Sequence, residues 1–345
     1  MTQLDVLLLY NEPVLAADDP DAASEAGVLE SVEAVTTALA ARGHRFSTLP
    51  VGSSLPELLT AFATLPPFDV VFNLFEGLGG VGRGEAEITG LVELMGLPVT
   101  GSPAECLGLV RDKARAKWLL AGAGLPTPSF YFVSANGTID LQQVEALLQK
   151  GQVIVKPAHE DASLGISPES IVTDLAGLLR QVAAVQARYG AVLVEQFVVG
   201  REFNAAVIAL PHPELLPLAE IEFSGPGTQG WQIVTYDAKW ATGSAADRAT
   251  PARCPANVDA ATTARIGEIA LTAFHLVGCR DYARIDMRMD QRGQIYILEI
   301  NGNPDIGPGA GFARALRVSG IAYEEFVERL VQTASARREN PSLPA

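Results

Sequence analysis

The stretch Asp281 to Pro304, DYARIDMRMDQRGQIYILEINGNP, holds the residues around which the chain is organised. Ala283 to Met289 alternate apolar and polar side chains strictly, the period of a strand with one buried face. Asp290-Gln291-Arg292-Gly293 supplies turn chemistry and Gln294 to Ile300 is a second β-rich run, so the unit reads as a hairpin. A turn symmetric about Gln291 and Arg292 sets Arg284 opposite Glu299 and Asp286 opposite Ile297. Side chains alternate across a strand, so Arg284, Asp286, Glu299 and Asn301 share one face, with Asp286 and Glu299 diagonal neighbours roughly 7–8 Å apart. Two carboxylates and an amide oxygen are hard ligands, suited to Mg²⁺ or Mn²⁺ with positions left for water and phosphate. An arginine beside them can meet an anion. A hairpin with a solvated charged face shows the same alternation. The apolar setting of Glu299, in YILEIN, favours the metal, because a carboxylate there is expensive unless paired or metal-bound.

Such a hairpin needs a scaffold, and 345 residues with 48% apolar content imply two or three domains rather than one core. Lys and Arg number 25 against 40 acids, a formal charge of −15 without a long basic run. That field repels polyanions and argues against nucleic acid as a partner, so a nucleotide requires a local cluster of lysines. MTQLDVLLLY has no basic n-region and nothing elsewhere approaches a membrane span, so a cytoplasmic enzyme without a membrane partner is expected. Cys106, Cys254 and Cys279 fit neither a disulfide framework nor a zinc motif, and His44, His159, His212 and His275 are equally scattered.

Leu4 to Tyr10 reads as a buried parallel strand, followed by a polar loop to Ser24 and a helix from about Glu25 to Arg42. A second buried strand at Val70 to Leu74 and a helix from Glu85 to Met95 continue the alternation, implying an open α/β sheet over residues 1–101. Ligands on such sheets sit at the carboxyl ends of the strands, here near Tyr10 and near Asn73 to Gly84. The glycines at 77, 79, 80, 82 and 84 lack the lysine and the register of a phosphate loop, and read instead as a mobile substrate-facing loop with Glu76, Arg83 and Glu85. Val153 to Pro157 is a strand carrying Lys156, whose ammonium needs an anionic partner. Ala241 to Asn257 reads as a loop able to fold over a site, residues 259–276 as an amphipathic helix, and Tyr323 to Arg338 as a closing helix.

Asp286, twelve residues, then Glu299-Ile300-Asn301 resembles the metal-binding signature of the ATP-grasp superfamily, and the chain is similar over nearly its full length to the D-alanine:D-alanine ligase branch. ITGLVELMGLPVTGS (88–102), the DK…K…AGLPTP segment, AHEDASLG (158–165), the run Val192 to Phe203 and Tyr236 to Trp240 carry that similarity. The resemblance implies an ATP-grasp fold, α/β and α+β, with a Rossmann-like parallel sheet domain at 1–101, a central subdomain at 102–190 and a C-terminal subdomain with the metal site at 191–345. It implies ATP and Mg²⁺, with phosphate held by Lys113, Lys156 and Lys239 and covered by a loop retaining Ser163 and Gly165. Glu160 and Asp161 of that loop are expected to face solvent. Glu195, Gln196 and Val198 are expected at adenine and Glu202 at the ribose, Gln196 standing where the family has lysine. Lys117 reads equally as a phosphate contact or a solvated side chain.

The implied reaction joins a carboxylate to an amine through an acylphosphate, with Arg284 and Lys239 serving the reacting groups and Glu25 holding the substrate amine. Small acids and amines, amino acids or short peptides, are the expected partners, and a homodimer is compatible with the family. The substrate half departs from the pattern. Glu76-Gly77 replaces His-Gly, Tyr10-Asn11-Glu12-Pro13 and an acidic insert replace a glycine-rich first loop, and Ala162 and Trp240 stand where the family has serine and tyrosine. A ligase of other substrates and a non-catalytic nucleotide-binding module therefore remain beside the family activity.

Overall fold

The computed structural model describes residues 2–16, 18–19, 21–52, 54–78, 84–224 and 230–339. Strand β1 (Asp5–Asn11) is followed by helices α1 (Ala22–Ala26) and α2 (Val28–Ala41), strand β2 (Arg45–Val51), helix α3 (Leu55–Thr64), strand β3 (Val70–Leu74) and helix α4 (Glu85–Leu94). The three strands form a parallel sheet in the order β2-β1-β3. Val6 to Leu9 of β1 are all apolar because both faces of the strand are covered. Val6 and Leu8 pack with Val35 and Leu39, whereas Leu7 and Leu9 pack with Leu58, Phe62 and Val92. β2 gives no apolar signal, since it is an edge strand whose first four residues are exposed.

Helices α5 (Ala104–Arg111) and α6 (Lys113–Gly122) meet at Asp112, whose carboxylate accepts the Arg115 amide at 3.0 Å and so starts α6. Then come β4 (Phe130–Val133), α7 (Leu141–Leu148), β5 (Val153–Pro157), β6 (Ile171–Val172), α8 (Leu175–Tyr189) and β7 (Val192–Gln196). The strands pair antiparallel in the order β4-β7-β5-β6. Val153, Val155, Val192 and Val194 bury against Leu178 and Val182. Ile154, Lys156 and Glu195 therefore lie on the opposite face. β7 thus belongs to this sheet although it follows the division expected at 190/191.

The remaining elements are β8 (Gly200–Ala209), β9 (Pro213–Leu215), β10 (Ala219–Ile221), α9 (Tyr236–Trp240), α10 (Ala245–Ala249), β11 (Ala252–Arg253), α11 (Ala260–Leu276), β12 (Tyr282–Asp290), β13 (Ile295–Asn301), α12 (Gly311–Ser319) and α13 (Tyr323–Glu339). They build an antiparallel sheet in the order β11-β10-β8-β12-β13, with β9 on β8. The stretch expected as a loop from Ala241 to Asn257 contains α10, capped by Ser244, and β11, which pairs with β10. Ile266, Ala270 and Phe274 cover Phe203, Ala205, Ile285 and Met287. That leaves the polar face of the sheet for the site.

The parallel sheet and the last antiparallel sheet do not stand apart. Arg337 near the end of α13 donates to Asp281 at 2.8 and 2.9 Å and to the Val99 carbonyl at 2.7 Å, and Asp281 accepts the Gly101 amide at 2.9 Å. Leu4, Val6 and Val70 share one core with Tyr282, Phe312 and Phe326. Buried His44 accepts the Leu4 amide at Nδ1 (3.0 Å), which leaves Nε2 to donate to Glu328 (2.8 Å) and makes this histidine a structural residue.

Candidate active site

β12 lies between β8 and β13, and their registers set three rows of side chains across one face: Glu202 beside Arg288, then Asn204, Asp286 and Glu299, then Ala206, Arg284 and Asn301. The face expected from sequence forms, but through a different pairing. Asp286 sits directly opposite Glu299 and Arg284 opposite Asn301. One residue of the shift comes from the turn, where Asp290 Oδ1 accepts the Arg292 and Gln294 amides (2.9 and 2.8 Å) and Gly293 adopts φ +77°. The other comes from a bulge at Leu298. There the Ile297 N–H donates to the Pro126 carbonyl (2.8 Å) and its carbonyl accepts the Thr127 hydroxyl (3.0 Å). A shift of one residue would invert the face; two shifts restore it. The successive residues Leu298 and Glu299, at the bulge, both line the cavity.

Asp286 is fixed by Arg284 (2.8 Å to each oxygen), Asn204 (2.7 Å) and the Asn301 amide nitrogen (3.2 Å), which leaves the Asn301 oxygen for a ligand. Glu299 accepts no hydrogen bond among the described residues, and Lys113 Nζ stands 3.5 Å away. Burial pushes the Glu299 pKa up, but Lys113, Lys156, Arg284 and Lys239 outweigh it and hold the carboxyl at about 2. Among the described residues no group of three or more His, Cys, Asp or Glu gathers, so the donor set is two carboxylates and an amide. All are hard oxygens, and they fit a hard divalent cation.

The cavity between the two antiparallel sheets encloses about 270 Å³, and Lys113, Lys156 and Lys239 all line it. Lys113 is buried at the start of α6, where it pairs with Asp161 and donates to the Glu160 carbonyl at 2.6 Å. Burial lowers its pKa, but Asp161 and Glu299 more than offset this. The loop acids thus turn toward cations at the cavity, Asp161 while still 40% exposed and Glu160 3.6 Å from Arg111. A buried ammonium requires an anion, and the loop supplies it. Ala162 and Ser163 hold the loop with successive left-handed residues (φ 55° and 62°), and Ser163 lines the cavity. Gly165 (φ +71°) does not line it; a Cβ there would lie 2.7 Å from the Tyr189 ring, so this glycine serves packing.

Lys156 donates to Glu195 at 3.1 Å. The other Glu195 oxygen is 2.5 Å from Lys117, an ion contact made off the hydrogen-bond direction. Lys117 is buried rather than solvated, bonds the Thr127 hydroxyl at 2.9 Å, and has its pKa lowered to about 8 by burial, with Glu195 opposing. Lys239 projects from α9 with Nζ 4.9 Å from the Trp240 ring centre.

At the other end, Gln196, Val198 and Glu202 line the cavity. The Gln196 side chain donates to the Gln152 carbonyl (2.8 Å), while its oxygen is buried without a partner. Burial raises the Glu202 pKa and Arg288 opposes it. Arg288 and Asn204, to which no motif named from the sequence assigns a role, also line the cavity. The first is the next polar position after Arg284 and Asp286 in the same alternation, and the second follows Glu202 by two residues on β8.

The structure does not bring Glu25 to the cavity lining. Its Oε2 accepts the Val14 and Leu15 amides (2.8 and 2.7 Å), so it shapes its own loop. That loop is clasped to the rest of the site by Arg188 on Asp21 (2.7 Å) and by Trp240, which packs on Gly27 and donates from Nε1 to the Ala162 carbonyl at 2.9 Å. Glu76 is exposed, yet desolvation first and Asp305 second raise its pKa to about 7, with Lys239 opposing. Burial and Asp161 raise Glu85 to about 8. Arg83 and the glycines at 79, 80 and 82 lie outside the described residues. No helix among the described residues is long and apolar enough to cross a membrane.

A twisted pair of antiparallel sheets closing on lysines, a carboxylate pair and an amide defines an ATP-grasp enzyme. The family model described as "D-ala D-ala ligase C-terminus" matches residues 119–332. D-alanine–D-alanine ligase B of Xanthomonas campestris is 35% identical over 311 residues, covering 88% of this chain and 89% of that one. The corresponding ligase B of Chromobacterium violaceum is 33% identical over 267 residues, covering 77% and 80%. The crystal structure of D-alanine–D-alanine ligase from Bacillus anthracis complexed with ATP superposes with a TM-score of 0.77 at 17% identity, covering 98% of this chain and all of that one, and so shares the fold. The chain belongs to the D-alanine–D-alanine ligase family and is an ATP-dependent carboxylate–amine ligase.

Proposed function

We propose that this ligase phosphorylates a substrate carboxylate with ATP and Mg²⁺, condenses the acylphosphate with an amine, and works on an amine-bearing or cationic substrate in preference to D-alanine. The observation that carries the substrate reading is the acidic end of the cleft. Glu76 lies within electrostatic reach of Asp305 and Asp161, and Glu85 of Asp161 and Glu76, with Lys239 and Arg111 as the opposing cations, and the positions of two family hydroxyls are filled by Ala162 and by Trp240, whose indole is committed to the Ala162 carbonyl. A site that lacks hydrogen-bond partners discriminates against ligands that needed them.

Each residue role follows from position. Lys113, Lys156 and Lys239 neutralise the triphosphate oxygens, and the Ala158 to Gly165 loop covers them, once Asp161 releases Lys113. Asp286, Glu299 and the Asn301 oxygen are the ligands for Mg²⁺, which when bound draws charge from the phosphoryl oxygens. Arg284, held in plane by both oxygens of Asp286, has Nη1 unengaged among the described residues and is assigned the oxyanion formed when the amine attacks. The adenine end is Gln196 and Val198 with the backbone of Glu195, whose carboxylate is committed to Lys117 and Lys156, and Glu202 is at the ribose. Soluble small acids and amines in the cytoplasm are the partners this assigns. The test is ADP release screened across D- and L-amino acids, diamines and dipeptides, with product masses recorded. Condensation products of basic amino acids or diamines are expected, and release of ADP with none but neutral amino acids would overturn the substrate reading.

A further inference from the structure

We infer that Arg288 sets the sugar selectivity of the nucleotide site by fixing one oxygen of Glu202 and presenting the other to the ribose hydroxyls. The inference rests on the nucleotide reading of the cavity and goes beyond it, because neither the spacing of the motif residues nor any role assigned above involves Arg288.

Arg288 and Glu202 are directly opposed across β12 and β8. The arginine is 3% exposed, and every nitrogen of its guanidinium is in use. Nε and Nη2 both donate to Glu202 Oε2, at 2.9 and 2.8 Å. Nη1 donates to the Val198 carbonyl at 2.8 Å, and Nη2 also reaches the Gln232 carbonyl. Phe197 and Phe223 lie against the group, with ring centres 4.8 and 5.4 Å from its central carbon. A planar fork held at its edges and faces has no freedom to follow a moving carboxylate, so the carboxylate must take the orientation the fork imposes.

That orientation has two consequences. Oε1 of Glu202 accepts from no group among the described residues, while the side chain lines the cavity, so one acceptor is aimed at whatever occupies it. The Val198 carbonyl is taken by Arg288, which leaves the backbone at 196–198 to recognise a base through its other groups. A fixed, charged acceptor in a partly buried setting is the arrangement that distinguishes a hydroxyl from a hydrogen, because the analogue without the hydroxyl leaves the carboxylate desolvated and unpaired. Arg288 is thus a positioning residue for nucleotide choice. It also ties the segment at Gln232 to the same carboxylate, so loss of the sugar contact and loosening of that segment are coupled.

Binding by calorimetry with Mg-ADP, Mg-2′-deoxy-ADP and Mg-3′-deoxy-ADP tests this without any knowledge of the amine substrate. The parent protein is expected to prefer ADP over at least one deoxy analogue by tenfold or more. Arg288→Met should lose most of that preference by weakening ADP while leaving the deoxy analogue nearly unchanged. Arg288→Lys, which keeps the charge and the buried stem but loses the fork, should lose it too and guards against a variant that fails to fold. Glu202→Gln should lower the same ratio, and the double variant should lower it no further than the single ones. If Arg288→Met and Arg288→Lys weaken ADP and both deoxy analogues by equal factors, the residue is merely structural and the inference is overturned. If the parent protein binds all three nucleotides equally, the inference fails while the nucleotide reading stands; if it binds none of them, the nucleotide reading itself fails.

Discussion

Replacing Glu195 by glutamine perturbs the most buried charge cluster beside the site. Glu195 is 1% exposed and lies between Lys117 at 2.5 Å and Lys156 at 3.1 Å. The amide keeps the shape but leaves two ammoniums without a counter-charge. Breaking a buried pair in this way costs about 3–5 kcal/mol, because the remaining charge stays desolvated. Replacing Lys117 by methionine is the matched control, since it leaves Lys156 and Glu195 as a neutral pair; it forfeits the contacts to Glu195 and Thr127, the latter about 1 kcal/mol, but also relieves the burial of an ammonium. The two variants also separate in pH. Lys117 falls from an ordinary 10.5 to about 8, burial being the main cause. A depressed lysine means that the unfolded chain binds more protons between those values, so stability rises with pH across the window and the penalty is full below about 8. The parent should therefore gain on Lys117→Met by on the order of 2–3 kcal/mol between pH 8 and 10.5. Urea unfolding followed by fluorescence measures both effects. Glu195→Gln within about 1 kcal/mol of the parent, or parallel pH profiles for parent and Lys117→Met, would refute the reasoning.

Glu299→Gln should abolish ADP formation with Mg²⁺ while the melting curve stays within a few degrees of the parent; retained turnover contradicts the metal assignment. Lys156→Met should weaken Mg-ADP binding about 10–100-fold, the worth of a charge-assisted contact, as read by calorimetry. Asp161→Asn should tighten it a few-fold, since the carboxylate competes with phosphate for Lys113 and is itself half exposed; weaker binding in that variant counts against the competition. Gly165→Ala should lower stability by more than about 1 kcal/mol in the same urea assay, because it combines a left-handed backbone with a 2.7 Å approach to Tyr189.

Much of the site is legible in the sequence because strand alternation survives errors of register. The turn and the Leu298 bulge each move the pairing by one residue, and their sum returns Asp286 and Glu299 to the same face. The bulge itself is invisible locally, since its cause is the backbone of Pro126 and Thr127, some 170 positions away. Lys117, left open between a phosphate contact and a solvated side chain, and the acids Glu160 and Asp161, expected at the solvent, are hard to read for one reason: whether a charge is solvated depends on partners that the fold alone brings together. Likewise Cys106 and Cys279 are distant in sequence, yet their sulfurs lie 3.6 Å apart. Edge strand β2 and the helix within Ala241 to Asn257 carry weak apolar periodicity because little of either is buried. Glu25 aligns with a family position by its place at a helix start, but two loop amides claim its carboxylate.

Steady-state kinetics with D-alanine as the sole amino acid, set beside a basic amino acid or diamine as the second substrate, test the central claim most directly. The acidic cleft around Glu76 and the loss of hydroxyls at Ala162 and Trp240 predict slow or undetectable D-alanyl-D-alanine formation and faster ADP release with the cationic amine. Efficient dipeptide formation from D-alanine alone, with kcat/KM on the order of 10⁴ M⁻¹s⁻¹ or above, would show that the departures leave the ordinary family substrate in place.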